Sequence, residues 1–226
     1  VILALASAVL LGTVSLVADG ASAASTTPVM GRSKVTAAQL AGWFRSKGKT
    51  SSATVSIDVL AGYYINEGAD EGVAGDLAFA QSIIETGYFS FSSRVLPSYN
   101  NFSGLGAVDG GTGAATFSTA QLGVRAQIQH LRAYADPTVT TAKLAHPVID
   151  PRFSLVAPKG KAPTWEQFGN GIWATDPGYA AKVLNIYSQI LTYAAQNGGT
   201  TTTTSPPTTT QPVVTAFPPV ASATAA

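Results

Sequence analysis

Charged residues are confined to the middle of this 226-residue chain, and their distribution limits which part of it can form a globular domain. Asp19 is the only charged residue before Arg32, and no charged residue follows Lys182. Globular domains normally contain about 25% charged residues, which keep their surfaces solvated. We therefore expect one folded domain over residues 36–197, flanked by two segments of a different kind.

The first 24 residues have the composition of a secretory signal peptide. Residues 1–17 are almost wholly apolar or small, and residues 21–23 form a small-x-small cleavage pattern. The apolar run is short for a bilayer span, so we favour a signal peptide over a membrane anchor and expect no stable membrane insertion after cleavage. It has neither an initiator Met nor a basic leader, so we interpret 1–24 as a signal peptide truncated at its start. A short linker, 25–35, follows.

The C-terminal segment 198–226 consists largely of Thr, Pro, Ala and Val and carries no charge. Such a composition offers too little apolar side-chain surface to form a core. We expect a disordered tail, which could serve as a stalk or lead to a further module.

Several classes of chemistry are disfavoured by composition. The chain has no cysteine, so it has no disulfide and no thiolate nucleophile. His130 and His146 are its only histidines, which argues against a His-built zinc site and leaves little for Ser–His catalysis. A net charge of +1 gives no electrostatic reason to expect nucleic acid as a partner. We predict no metal and no other cofactor.

The central segment has mainly helical patterning. Helical signals begin with a capping box at Thr36 and Gln39, continue over residues 57–67, 76–86 and 119–135, and end with a helix from Asp176-Pro177 to about residue 196. The Gly-rich segment 100–116 predicts a hairpin or loop lobe, and the Pro-rich segment 136–164 predicts irregular structure. We therefore predict a mainly α domain with a small β-hairpin lobe.

Glu85 stands at the end of an apolar helical run. Ile83 and Ile84 precede it, and Tyr88 and Phe89 follow after a glycine in the position of a helix C-cap. Apolar surroundings disfavour the ionised form and raise the pKa of a carboxyl group. A carboxylic acid that stays protonated near neutral pH is what a glycosidase uses to protonate its leaving group. The alternative is a solvated carboxylate near a helix end.

Gln81, Glu85 and Tyr88 are spaced so that they share one face of this predicted helix. If the opposite, apolar face is buried, the three side chains face a groove that could bind a polymer. The same spacing would also suit a solvated surface.

Three segments resemble, in order, motifs of the bacterial glucosaminidase family of peptidoglycan hydrolases. They are AFAQSIIETGYF at residues 78–89, NNFSGLGA at 100–107 and WATDPGYA at 173–180. The similarity extends over roughly residues 36–196. It implies a lysozyme-like fold and an endo-β-N-acetylglucosaminidase that acts as an autolysin. Together with the predicted signal peptide, we expect a secreted enzyme, and we expect it to be a monomer. Such an enzyme would cleave the β-1,4 bond after N-acetylglucosamine in peptidoglycan glycan strands.

The resemblance also implies roles for individual residues. Glu85 matches the general acid of the family and Tyr179 its active-site tyrosine, while Asn101 and Phe102 match a structural and substrate-lining segment. Each has a simpler interpretation from the residues themselves: Tyr179 could pack in the first turn of its helix, and Asn101 could set a turn. Asp176 fits a helix N-cap better than a catalytic role.

The second catalytic group is less evident. Asp109 is the only carboxylate between Glu85 and Asp136, and its Gly-rich loop could carry it over the cleft to activate water; an Asp-Gly-Gly turn is the alternative. Asp150 is a further candidate. Without a second carboxylate, the acetamido group of the substrate could act as the nucleophile.

Two other functions remain compatible with these residues. One is cleavage on the other side of the disaccharide repeat, by a muramidase or a lytic transglycosylase of related fold. The other is a non-catalytic protein that binds the cell wall.

Overall fold

The computed structural model describes residues 26–107 and 113–198. Within these ranges the chain forms five α-helices and four short 3₁₀-helices. The α-helices are α1 Ala37–Ser46, α2 Ile57–Glu71, α3 Gly75–Thr86, α4 Ala120–Ala135 and α5 Tyr179–Asn197; the 3₁₀-helices are Pro97–Tyr99, Thr141–Lys143, Phe153–Leu155 and Trp165–Gln167. The predicted mainly α class is confirmed.

Capping residues explain several of the helix boundaries. The capping box at the start of α1 is present, because Thr36 and Gln39 each accept a hydrogen bond from the backbone of the other. The side chain of Thr119 caps α4 by accepting from the backbone N–H of Leu122. At the end of α3, Gly87 adopts φ +59°, a left-handed conformation that costs glycine little.

Helix α3 lies at the centre of the domain, where it packs against α2, α4 and α5. Ten of its twelve residues are buried, from Gly75 to Thr86. Close approach to α2 depends on Gly75, since a Cβ there would lie 2.0 Å from the carbonyl oxygen of Tyr64. The helix that carries Glu85 is therefore fixed by packing on three sides.

The N-terminal segment extends the folded domain beyond its predicted start. Val29 and Val35 are buried, and the backbone N–H of Val29 donates to the carbonyl of Pro163. The N–H of Trp165 in turn donates to the carbonyl of Thr27. The residues predicted as a linker therefore belong to the folded domain from residue 27 onward, and Val29 and Val35 lie in its core.

A β-hairpin lobe is not observed in the described parts of residues 100–116, where no strand forms. The reason lies in Asn101, whose side-chain amide donates to the carbonyls of Leu105 and Ala115. Its carbonyl oxygen accepts from the N–H of Leu105. A side chain thus takes the hydrogen bonds that a strand ladder would make, and the segment is a loop organised by buried Asn101.

Helix α5 begins two residues later than the sequence predicts. Pro177 does not open the helix, and Gly178 occupies the N-cap position before Tyr179. Asp176 still organises this turn, because its Oδ1 accepts from the N–H of Gly178 and its Oδ2 contacts Lys182. The buried side of α5 is the predicted one and includes Val183 and other residues at helical spacing.

The predicted signal peptide and nearly all of the predicted tail lie outside the described residues. Across the described ranges, each helix is too short or too polar to cross a lipid bilayer.

Candidate active site

Glu85 lies one residue before the end of α3 and is only partly exposed. Burial raises the pKa of its carboxyl group, and two hydrogen bonds, from Tyr179 and Trp173, oppose this effect without cancelling it. The ionised form loses more from desolvation than the neutral form, so the side chain holds a proton to a higher pH than an ordinary glutamate. The pKa shift expected from its apolar neighbours is therefore present.

Both hydrogen bonds reach the same carboxyl oxygen. The hydroxyl of Tyr179 donates to Oε1 of Glu85 at 2.5 Å, and the indole N–H of Trp173 donates to Oε1 at 2.8 Å. Among the described residues, none donates a hydrogen bond to Oε2. Since two donors occupy Oε1, the proton of the acid form resides on Oε2. A Cβ placed on Gly104 would lie 3.5 Å from Oε2, so the absence of a side chain there leaves this oxygen uncovered.

Tyr179 is itself held by a chain of buried hydrogen bonds. Its hydroxyl accepts from the amide of Gln81 at 2.8 Å, Gln81 accepts from Gln127 at 2.8 Å, and Gln127 accepts from the hydroxyl of Tyr64 at 2.7 Å. Burial raises the pKa of Tyr179 well above its ordinary value, so the hydroxyl stays protonated and remains a donor. The network fixes the direction of the hydrogen bond to Glu85.

A cavity of about 140 Å³ adjoins this acid. Two of its lining residues, Gly104 and Trp173, are the ones that approach Glu85. The wall also contains aromatic and cationic side chains; the full lining is Ser103, Gly104, Leu105, Gly106, Ala107, His130, Tyr134, Arg152, Leu155, Val156 and Trp173. The lining is mostly polar, and polar groups that converge on one concave site are what fixes the orientation of a bound ligand.

Aromatic packing positions Trp173. Its ring centroid lies 5.1 Å from that of His130 and 5.8 Å from that of Tyr134. His130 is fixed in turn, because its Nδ1 lies 2.7 Å from Oδ2 of buried Asp150. Trp173 has φ +65°, a conformation that is uncommon for a bulky residue and marks a position constrained by its surroundings.

Three residues predicted to bind substrate are fully buried instead. Gln81, Asn101 and Phe102 each have 0% exposed surface, so none of them can contact a sugar directly in this conformation. Gln81 supports Tyr179, Asn101 holds its own loop, and Phe102 packs in the core, with its ring centroid 6.1 Å from that of Phe89. The prediction that Gln81 faces a groove was wrong because α3 is covered on three sides rather than one.

Tyr88 does not share the face of Glu85. Gly87, Tyr88 and Phe89 all have φ between +55° and +60°, so the helical spacing ends before Tyr88. The ring of Tyr88 stacks on Trp43 with centroids 6.2 Å apart. The role of Tyr88 in substrate binding therefore stays a prediction. Among the described contacts, none joins Tyr88 to Glu85.

The two candidates for a second carboxylate have different outcomes. Asp109 lies outside the described residues and stays a prediction. Asp150 is buried, and its two oxygens accept hydrogen bonds from the ring of His130 and the backbone N–H of Arg152. Because those contacts occupy the carboxylate, Asp150 is suited to positioning His130 rather than to activating water.

Two site residues were missed by the sequence analysis. Trp173 is the first residue of the WATDPGYA segment, but the sequence does not indicate a role for its indole N–H. Gln127 had no local signal, since a glutamine in an amphipathic helix is usually solvated; only its burial at 0% exposure in the structure reveals its part in the network.

One cluster in the described ranges has ligand atoms close enough to suggest a metal site, namely Glu67, Asp70 and His146. Both oxygens of Glu67 already bind the guanidinium of Arg125, at 2.7 and 2.9 Å, and Oε1 also accepts from Gln121. A buried carboxylate that is paired with a guanidinium is poorly suited to hold a cation, so the cluster is better described as an ion-pair network.

Comparison with known proteins identifies the family of proteins to which this chain belongs. The profile of the glucosaminidase family, described as mannosyl-glycoprotein endo-β-N-acetylglucosaminidase, matches residues 61–192, which is more than half of the chain. The match includes Glu85, the described cavity and Tyr179. The chain belongs to the glucosaminidase family, which is a family of glycoside hydrolases.

A relative in Borreliella burgdorferi, described as an uncharacterized protein, is 38% identical over 141 residues. The matched region covers 62% of this chain and 66% of that relative. No solved structure matches the chain.

Proposed function

We propose that this protein is a secreted peptidoglycan hydrolase that cleaves the β-1,4 bond after N-acetylglucosamine in cell-wall glycan strands. The observation that supports this most strongly is the state of Glu85: burial raises its pKa, and its Oε2 lies beside Gly104, a residue that lines a cavity. Family membership supports glycoside hydrolysis, and the resemblance noted in the sequence supports peptidoglycan as the substrate.

Glu85 acts as the general acid in this proposal. Its Oε2 donates the proton to the glycosidic oxygen as the bond from that oxygen to the anomeric carbon breaks, which yields a new sugar hydroxyl and an oxocarbenium-like centre. The carboxylate that remains keeps the hydrogen bonds from Tyr179 and Trp173 at Oε1. These donors stabilise the charge that develops on Glu85 in the transition state.

A second group must then complete the reaction at the anomeric carbon. Asp109 is the proposed base for water, and attack by the acetamido group of the substrate is the alternative. An Asp109→Asn variant distinguishes them, because water activation acts in the transition state. A large fall in kcat with little change in KM supports Asp109, and unchanged kinetics would favour the acetamido group.

The location is inferred from sequence. Residues 1–24 resemble a signal peptide, and peptidoglycan lies outside the cytoplasmic membrane, so we propose export to the cell wall or beyond. We propose a monomer with glycan strands as its partner and without nucleic acid, metal or cofactor.

Product analysis tests the position of the cleaved bond. Purified peptidoglycan is digested, and the new ends are identified by mass spectrometry after borohydride reduction. Reduced N-acetylglucosamine at the new end is expected. Reduced N-acetylmuramic acid would indicate a muramidase, an anhydro end would indicate a lytic transglycosylase, and no new end would favour a wall-binding protein.

A further inference from the structure

The wall of the cavity beside Glu85 contains a cation, Arg152, that has no partner among the described residues. Arg152 lines the cavity and is only partly exposed. Its backbone N–H donates to Asp150, but its guanidinium makes no hydrogen bond and no ion pair with any residue that the structure describes. A guanidinium presents five donors in a planar fork, which matches the geometry of a carboxylate.

A buried hydroxyl in the same wall also lacks a partner. Ser103 is 4% exposed and lines the cavity, and its Oγ makes no hydrogen bond. A buried polar atom without a partner normally costs about 1–3 kcal/mol, so such atoms are rare unless a ligand or water completes them. The cavity of about 140 Å³ is roughly ten times the volume of about 10–15 Å³ that one water needs, so it has room for a larger group.

The charges around the cavity favour an anion. Lys161 does not line the cavity, but its Nζ lies 5.0 Å from the centroid of the Tyr134 ring, which does. In the described ranges Asp150 is the nearby carboxylate besides Glu85, and His130 and a backbone N–H already occupy its oxygens. Glu85 contributes little negative charge while it holds its proton. Among the residues that the structure describes, Arg152 and Lys161 therefore give this region an excess of positive charge; Asp109 lies outside the described residues and is not part of this balance.

We propose that this cavity binds a carboxylate group carried by the glycan substrate, with Arg152 as the principal partner and Ser103 as a second donor. The proposal rests on the proposed peptidoglycan substrate and narrows the range of glycans that the protein would bind. Recognition would require an acidic substituent near the cleaved bond. Neutral polymers of N-acetylglucosamine lack such a group. Two sources can supply it, namely the lactyl carboxylate of a muramyl sugar without its peptide and a carboxylate of an attached stem peptide.

Binding measurements with a non-hydrolysing background test this directly. The Glu85→Gln chain is titrated calorimetrically with three purified ligands of equal length: a neutral N-acetylglucosamine oligomer, a peptide-free peptidoglycan strand and a strand that keeps its stem peptides. Arg152→Gln is then added to that background. Arg32→Gln is the matched control, because Arg32 is exposed and lines a different surface cleft.

We expect Arg152→Gln to lower the affinity for carboxylate-bearing strands only. Arg152→Gln should weaken binding of a carboxylate-bearing strand about tenfold, the loss typical of one charge-assisted hydrogen bond, and should leave the neutral oligomer and the control unchanged. A loss confined to the peptide-free strand identifies the lactyl group, and a loss confined to the peptide-bearing strand identifies the stem peptide. Arg152→Lys should recover part of the affinity.

Ser103→Ala provides a second test that does not depend on charge. Because Oγ has no partner to lose, this variant should unfold at the same temperature as the parent, or slightly higher, while binding the carboxylate-bearing strand a few-fold more weakly. Equal losses for neutral and acidic ligands, or no loss with Arg152→Gln, would overturn the carboxylate site and leave the proposed hydrolase intact. Failure of all three ligands to bind the background chain would overturn both.

Discussion

Tyr179→Phe removes a hydroxyl oxygen that makes two hydrogen bonds. The hydroxyl donates to Oε1 of Glu85 at 2.5 Å and accepts from the amide of Gln81 at 2.8 Å. Phenylalanine keeps the ring and its packing in the first turn of α5. The substitution therefore separates the hydrogen-bonding role of Tyr179 from its role in the core.

The loss of stability follows from Gln81, which has 0% exposed surface. Without Tyr179, one of its amide N–H groups is buried with no partner, which costs about 1–3 kcal/mol. For a domain of this size each kcal/mol lowers Tm by roughly 2–4 °C, so we expect a fall of about 2–12 °C. Differential scanning calorimetry measures it.

The loss of activity follows from Glu85. The ionised acid keeps only the hydrogen bond from Trp173, and a hydrogen bond to a charged group contributes about 1.5–3 kcal/mol, so kcat should fall about 10- to 100-fold. Tyr63→Phe is the matched control, because Tyr63 is partly buried in α2 and its hydroxyl makes no hydrogen bond within the described residues. A Tyr179→Phe variant that matches this control in both Tm and kcat would refute the reasoning.

Two further predictions concern pH and packing. Glu85 is active when protonated, and burial raises its pKa above the ordinary 4.5, so kcat/KM should fall as pH rises through this raised pKa. Because the folded chain holds this proton more tightly than the unfolded chain, the free energy of unfolding should also fall as pH rises from 4.5 to that pKa. Trp173→Phe removes a donor that favours the ionised form, so pH–rate profiles should show this alkaline limb at higher pH, and an unmoved limb would contradict the assignment. Gly75→Ala should destabilise the domain by about 1–3 kcal/mol or more in urea unfolding, because its Cβ would lie 2.0 Å from the carbonyl of Tyr64. Gly62→Ala has open space within helix α2 and should stabilise by about 0.5–1 kcal/mol; equal effects of the two would refute the packing account.

Local signals accounted for much of the fold. Capping residues such as Thr36, Thr119 and Gly87 act over three or four positions, so they could be identified from neighbouring residues. The mainly α class followed from helical periodicity for the same reason. The start of α5 was misplaced because Asp176 caps a turn before the helix rather than the helix itself.

Contacts between distant segments could not be predicted in this way. Gln81 was placed in a groove because periodicity shows which residues share a face, but not how many neighbours cover a helix. A loop formed in place of the predicted hairpin because the side chain of Asn101 makes four hydrogen bonds, which no strand pattern reveals. Glu85 was identified because its apolar neighbours are adjacent in sequence, whereas Trp173 lies 88 residues away from it.

The central claim is that Glu85 supplies the proton that cleaves the glycosidic bond. The most direct test compares the parent chain with Glu85→Gln, which keeps the size of the side chain and an oxygen acceptor for Tyr179 and Trp173 but removes the titratable proton. Release of reducing ends from purified peptidoglycan should fall by at least about a hundredfold, while Tm and sedimentation with insoluble peptidoglycan stay close to those of the parent. Near-normal release of reducing ends by Glu85→Gln would contradict the account.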